Sequence, residues 1–153
     1  MSINFSCASI FCDDIRHEIN GKMSLMGIYG DTMYLPDFPI TVTKICAYFE
    51  LRVQPDLKNG TDATLSIMKG SEKIGAITLP ILSFDDSVKT LHGKPYAYGR
   101  SSGAMEFPSM TFAEPTLLEI IVQIDGQSVV GGRLWVTRFP QSGEASSTAA
   151  ESK

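Results

Sequence analysis

The sequence predicts an all-β domain: an antiparallel two-sheet sandwich of immunoglobulin-like or jelly-roll type with about eight strands, the alternative being a partly open β-barrel. Three observations carry that expectation. Wherever a hydrophobic pattern can be read, its period is two rather than 3.6. Turn residues separate these runs at modest spacing. No window of ten or more residues shows an amphipathic helical stripe, and Gly and Pro recur too often for long helices.

Residues 5–12 and 23–35 are apolar on both alternations, which predicts burial on both faces or a bulge. Between them lies DDIRHEINGK, read either as a short helical turn or, preferably, as two strand arms meeting at Asn20-Gly21. Asn-Gly favours a two-residue type I′ turn, because both positions tolerate positive φ. That turn would set Glu18 opposite Met23 and Arg16 opposite Leu25, with Asp14, Arg16 and Glu18 on one face. Residues 45–53 alternate cleanly: Ile45, Ala47, Phe49, Leu51 and Val53 point one way, and Cys46, Tyr48, Glu50 and Arg52 the other. Residues 63–68 and 73–79 form a hairpin around Lys69-Gly70-Ser71, closed by Pro80, which cannot donate to a ladder. A last hairpin pairs Leu118, Ile120, Val122 and Ile124 with residues 130–136 across Asp125-Gly126. Trp135 on its second arm, flanked by Arg133 and Thr137, is expected to pack in the core or on a sheet face, the alternative being an exposed aromatic on the last strand. The domain is expected to span residues 1–140; residues 141–153, small and polar, are expected to be a disordered tail.

The chain has 153 residues, 43% of them hydrophobic, enough to bury one core without metal or disulfide staples. Its 13 Lys and Arg against 17 Asp and Glu leave a net charge of −4, which disfavours nucleic acid and anionic lipid as partners. Cys7, Cys12 and Cys46 lack C-x-x-C spacing and sit in apolar runs, as buried thiols of a reducing compartment do. The opening MSINFSCASIF has no basic residue ahead of its apolar stretch, and no run nears the roughly 18 apolar residues that span a membrane. A soluble cytoplasmic protein is expected.

Two groups of residues could carry function. Residues 83–115 break the alternation and are expected to form a long loop, in which Lys89, His92, Lys94, Tyr96, Tyr98 and Arg100 combine cations with amphipathic rings. Such a combination suits a phosphate, an acidic peptide or a protein hot spot; the alternative is a solvated crossover whose tyrosines cover the sheet edge. The second group is Asp13, Asp14, Arg16 and Glu18, joined by Asp31 and Asp37 if the strands align. Carboxylates at a sheet end can chelate calcium. Arg16 supplies a counter-charge, however, and no D-x-D-x-D-G loop is present, so an ion-pair network holding the hairpin is expected and no metal or cofactor is assigned. G-x-S-x-G, H-E-x-x-H and G-x-G-x-x-G are absent, and no spacing supports a dyad between Cys12 and His92.

The stretch Cys12-Asp13-Asp14-Ile15-Arg16, with Glu18, Gly21-Lys22 and Gly27-x-Tyr29, resembles the opening of a family of small uncharacterised bacterial all-β proteins, a domain of unknown function. The resemblance implies a bacterial or phage-borne cytoplasmic β-domain and marks Asp13, Asp14, Arg16, Glu18 and Lys22 as motif positions of undetermined role. The expected function is a non-enzymatic binding or assembly module that contacts a protein partner, or a second copy, through the 83–115 loop. The alternatives are a metal-dependent hydrolase using Asp13 or Asp14, and a phage or host-defence interference protein that binds a protein or nucleotide.

Overall fold

The computed structural model describes residues 5–53, 61–80, 90–91, 94–95 and 99–140. Two sheets face each other. The first has the order β2-β1-β4-β9, built from β1 (Phe5–His17), β2 (Met23–Ile28), β4 (Ile40–Val53) and β9 (Gly99–Phe112). The second has the order β3-β11-β10-β5-β6, from β3 (Thr32–Leu35), β5 (Asp62–Lys69), β6 (Glu72–Pro80), β10 (Thr116–Ile124) and β11 (Gln127–Arg138). Thr90–Leu91 (β7) and Lys94–Pro95 (β8) pair as a separate two-stranded ribbon.

One core joins the layers. Ile45, Ala47, Phe49, Leu51 and Val53 from the first sheet, each at most 4% exposed, meet Leu65, Ile67, Leu118, Ile120, Val122, Leu134 and Val136 from the second. These are the inward positions of the alternations, so period two sets burial directly. Burying side chains of this size removes roughly 1.5–3 kcal/mol of unfavourable hydration each, which makes Phe49 and its neighbours the main source of stability. The chain crosses between sheets from β2 to β3, from β3 to β4, from β4 to β5 and from β9 to β10, and β10 returns as β11. That connectivity is the Greek-key arrangement of immunoglobulin sandwiches. The sheets keep separate edges among the described residues, so no closed barrel forms. One pairing departs from the antiparallel expectation: β3 lies parallel to β11, with Trp135 opposite Thr32 and Arg138 opposite Leu35.

Three further expectations change. Residues 83–115 are not one irregular loop, because Gly99–Phe112 is a strand paired with β4 from Val53↔Gly99 to Ile40↔Phe112. Its polar start, Arg100-Ser101-Ser102, hides the alternation because all three are exposed, including Ser101 at the inward position opposite Leu51. Pro108 is tolerated because β9 is an edge strand. The first turn spans one residue more than a two-residue loop: His17 faces Met23, Arg16 faces Ser24 and Ile15 faces Leu25, around a short 3-10 turn at Ile19–Gly21. Asn20 and Gly21 still take positive φ, 66° and 70°, and the Glu18 amide donates to the Lys22 carbonyl at 2.8 Å. Trp135 is not core; it stands 54% exposed on the outer face of the second sheet, because its neighbours Leu134 and Val136 take the inward positions. The expected tail lies outside the described residues.

Candidate functional site

Along the first sheet the side-chain alternation inverts on a line that crosses its strands. In β1, Phe5, Cys7 and Phe11 face the core, yet Cys12 and Ile15, three apart, share a second cluster on the other face. In β4 the inward set passes from Ile40 and Val42 to Ile45 and Ala47, and in β9 from Met105 and Phe107 to Met110 and Phe112. Ser109 at φ 58° and Gly27 at φ 63° mark the same line in the edge strands. Asp13 and Asp14 sit on it. Two consecutive polar residues between apolar ones are what a strand needs where its faces exchange, since neither position is then inside.

The motif residues form two small constellations there. Tyr29 donates its hydroxyl to Asp13 Oδ1, and its amide donates to the Phe11 carbonyl at 2.9 Å, so the end of β2 is fastened to β1 at side chain and backbone. Gly27 makes room for that carboxylate: a β-carbon there would stand 2.6 Å from Asp13 Cγ. Burial, then the Asp13 carboxylate, push the Tyr29 hydroxyl well above the usual phenol range, so it stays a donor. Asp14 accepts from the Lys44 ammonium of β4, with Arg16 Nε 4.0 Å from its other oxygen. The Lys44 hydrogen bond, then its charge, hold the Asp14 carboxyl below the ordinary range and raise Lys44 in return. Glu18 accepts from Ser24 at 3.0 Å, which spans the hairpin base. Lys22 is exposed at the turn.

Of the expected ion-pair network the structure pairs Asp14 with Arg16 alone; the closer partner of Asp14 is Lys44, which lay outside that expectation, and Asp13 turns to a tyrosine. Asp31 and Asp37 do not join them. The Asp31 carbonyl accepts from the Trp135 amide at 2.8 Å, and the Asp37 carboxylate pairs with Arg138 at 2.9 Å, both against β11 of the other sheet. Among the described residues no three His, Cys, Asp or Glu side chains stand close enough together to hold a metal ion.

Of the expected loop site, Lys89, His92, Tyr96 and Tyr98 lie outside the described residues, and Lys94 falls on β8 with its side chain likewise outside the description. Arg100 is on β9. Its guanidinium lies 2.6 Å from Glu50, which also holds Arg52 at 2.8 Å, so the cation serves a cross-strand cluster on the outer face. The two arginines, Arg52 first, keep the Glu50 carboxyl below its ordinary range.

What the sequence reading missed is an aromatic ridge. Outward positions of β11 and its continuation carry Trp135 (54% exposed) and Phe139 (58%), and Tyr34 of the adjacent β3 (47%) stacks on Phe139 with ring centroids 5.7 Å apart. The ridge is pinned by the Phe139 amide, which donates to the Leu35 carbonyl at 3.2 Å. The cations beside it are paired, Arg138 with Asp37 while lying over the Phe38 ring at 5.8 Å and Arg133 with Glu119 at 2.8 Å, and the Asp31 carboxylate next to Trp135 accepts from the Thr32 hydroxyl at 3.1 Å. The available signal was the every-second spacing of Trp135, Thr137 and Phe139.

No helix among the described residues is long and apolar enough to cross a membrane. No curated protein matches the chain. The sequence does match, over residues 7–137, a family of unknown function, DUF6941; the match runs from near the start of β1 almost to the end of β11, and the chain belongs to that family.

Proposed function

We propose that the chain is a non-enzymatic binding module whose contact surface is the aromatic ridge of β3 and β11, and that its occupant is a protein surface of apolar character. The observation that supports this reading is the exposure of Tyr34, Trp135 and Phe139 on the outer face of neighbouring strands. Trp and Tyr supply large contact area at low entropic cost and dominate interface energetics. Because the flanking Arg133 and Arg138 are already matched to carboxylates and Asp31 adds a carboxylate, the ridge presents rings without a free flanking cation among the described residues, suited to an apolar partner face rather than to a phosphate backbone. Arg100 of the 83–115 segment is engaged by Glu50 on the first sheet and forms no part of this ridge. In this reading the setting is a reducing bacterial or phage-infected cytoplasm, suited to three thiols outside any bridge. The hydrolase alternative loses ground because Asp13 and Asp14 face separate protein partners.

A photo-reactive residue at position 135, compared with one at exposed Ala8 on the opposite face, tests the proposal in cells of the native host. The expected result is one discrete protein adduct from position 135, absent from position 8 and abolished by Tyr34→Ser/Phe139→Ser. An adduct that survives the double substitution, or equal labelling from both positions, would overturn it. Formation of the same adduct by the purified chain would identify the partner as a second copy.

A further inference from the structure

Cys12 and Cys46 are directly opposed across the antiparallel ladder of β1 and β4, and both are 0% exposed. Opposed residues on neighbouring antiparallel strands share a face and hold their Cα atoms about 4.5–5.5 Å apart, inside the window of about 4.4–6.8 Å that a disulfide requires. Both thiols belong to one cluster with Ile15, packed by Met23, Leu25, Tyr48 and Ala104. Each thiol donates to a carbonyl at the place where β1 exchanges its faces: Cys12 to Asp14 at 3.5 Å and Cys46 to Asp13 at 3.6 Å. The carbonyls of two consecutive residues thus accept from the two thiols. Cys7 has no such partner, for it points into the core opposite Leu51.

We propose that Cys12 and Cys46 are a modification site, a thiol pair that hydroperoxides convert reversibly into a cross-strand disulfide. In the first step one thiolate attacks the peroxide, the O–O bond breaks, and a sulfenic acid and water (or an alcohol) form. In the second the opposed thiol, losing its proton, attacks the sulfenic sulfur; the S–S bond forms and a second water leaves. Two thiols are oxidised by two electrons and one peroxide is reduced. Burial, reinforced by the neighbouring thiol and the Asp13 carboxylate, pushes Cys12 up to about 11, so the first step is slow and waits on opening of the edge hairpin β1–β2, while the second is fast because the partner is in place. The bridge removes both S–H donors from the Asp13 and Asp14 carbonyls, so it also reports at the motif.

The folded full-length chain, treated with hydrogen peroxide, quenched in acid, unfolded in alkylating agent and digested, gives the test. A peptide linked through Cys12 and Cys46, Cys7 alkylated, and recovery of both thiols with dithiothreitol are expected. Cys7→Ser should keep the linked peptide, and Cys46→Ser should abolish it and leave Cys12 as a sulfenic acid trappable by dimedone. The proposal is overturned by a bridge that includes Cys7, by a Cys12–Cys46 bridge that appears only when urea is present during oxidation, or by oxidation of Cys7 that runs to completion with Cys12 and Cys46 still reduced.

Discussion

Gly27→Ala probes the reason for the motif Gly27-x-Tyr29. The position has φ +63°, a left-handed conformation that costs a residue with a β-carbon roughly 1–2 kcal/mol. The added carbon would also lie 2.6 Å from Asp13 Cγ and 2.9 Å from Asp13 Cβ, so the carboxylate must swing away and release Tyr29. A solvated hydrogen bond of this kind contributes about 1 kcal/mol net. The expected loss is therefore about 2–3 kcal/mol in urea unfolding followed by far-ultraviolet circular dichroism, seen as a lower midpoint at unchanged slope. The same substitution made in an Asp13→Ala background should cost about 1 kcal/mol less, because the carboxylate and its bond to Tyr29 are already gone, leaving the backbone strain and the 2.9 Å approach to the β-carbon of residue 13. A Gly27→Ala variant within about 0.5 kcal/mol of the parent, or one whose cost is the same in both backgrounds, would refute the coupling between Gly27, Asp13 and Tyr29.

Three other outcomes follow from the same structure. Stability should fall in acid below about pH 4, because the Asp14 and Glu50 carboxyls titrate lower in the folded chain than in the unfolded one; what they contribute is present above the unfolded value and lost as the pH drops through the folded one. Asp14→Asn/Glu50→Gln should flatten that acid limb in a pH series of urea midpoints. At the alkaline end the sign is opposite: Cys12, raised from 9.0 to about 11, ionises first in the unfolded chain, so stability declines as the pH rises from 9 toward 11, and Cys12→Ala should remove part of the slope. Finally, Leu134→Ala should cost about 2–5 kcal/mol, whereas Trp135→Ser should stay within about 1 kcal/mol of the parent, since Leu134 is 0% and Trp135 54% exposed; equal losses in thermal melts would contradict the assignment of faces.

The all-β sandwich and most hairpins were legible because each rests on local signals: alternation in residues 45–53, Asp125-Gly126 at φ 49° and 76°, and Gly70 at φ 58°. Positions where long-range pairing decides were not legible. In β9 the outward polar residues and Pro108 obscure a strand whose register is imposed by β4. The exchange of faces at Asp13-Asp14 could be anticipated only as a broken pattern, since its cause is the common line it shares with Gly27 and Ser109. Asp31 and Asp37 were misplaced because the parallel pairing of β3 with β11 carries them to the opposite sheet. Nothing in local sequence specifies that crossover.

The most distinctive stretch of sequence and the most promising surface are therefore different places. Cys12, Asp13, Asp14, Gly27 and Tyr29 each have a partner or a clash that explains the residue type: a thiol sealed in an apolar cluster, a carboxylate bonded by tyrosine, a carboxylate bonded by lysine, a glycine with no room for a β-carbon, a phenol holding β2 to β1. A motif accounted for in this way demands no ligand. The reverse holds for Tyr34, Trp135 and Phe139, because a serine or threonine at any of the three would satisfy the outward alternation of the sheet at less exposed apolar area. Large aromatic rings on an outer face add little to the fold and, standing together in water, favour association. Local consistency explains the first group, and the place where it fails is the place to look for a partner.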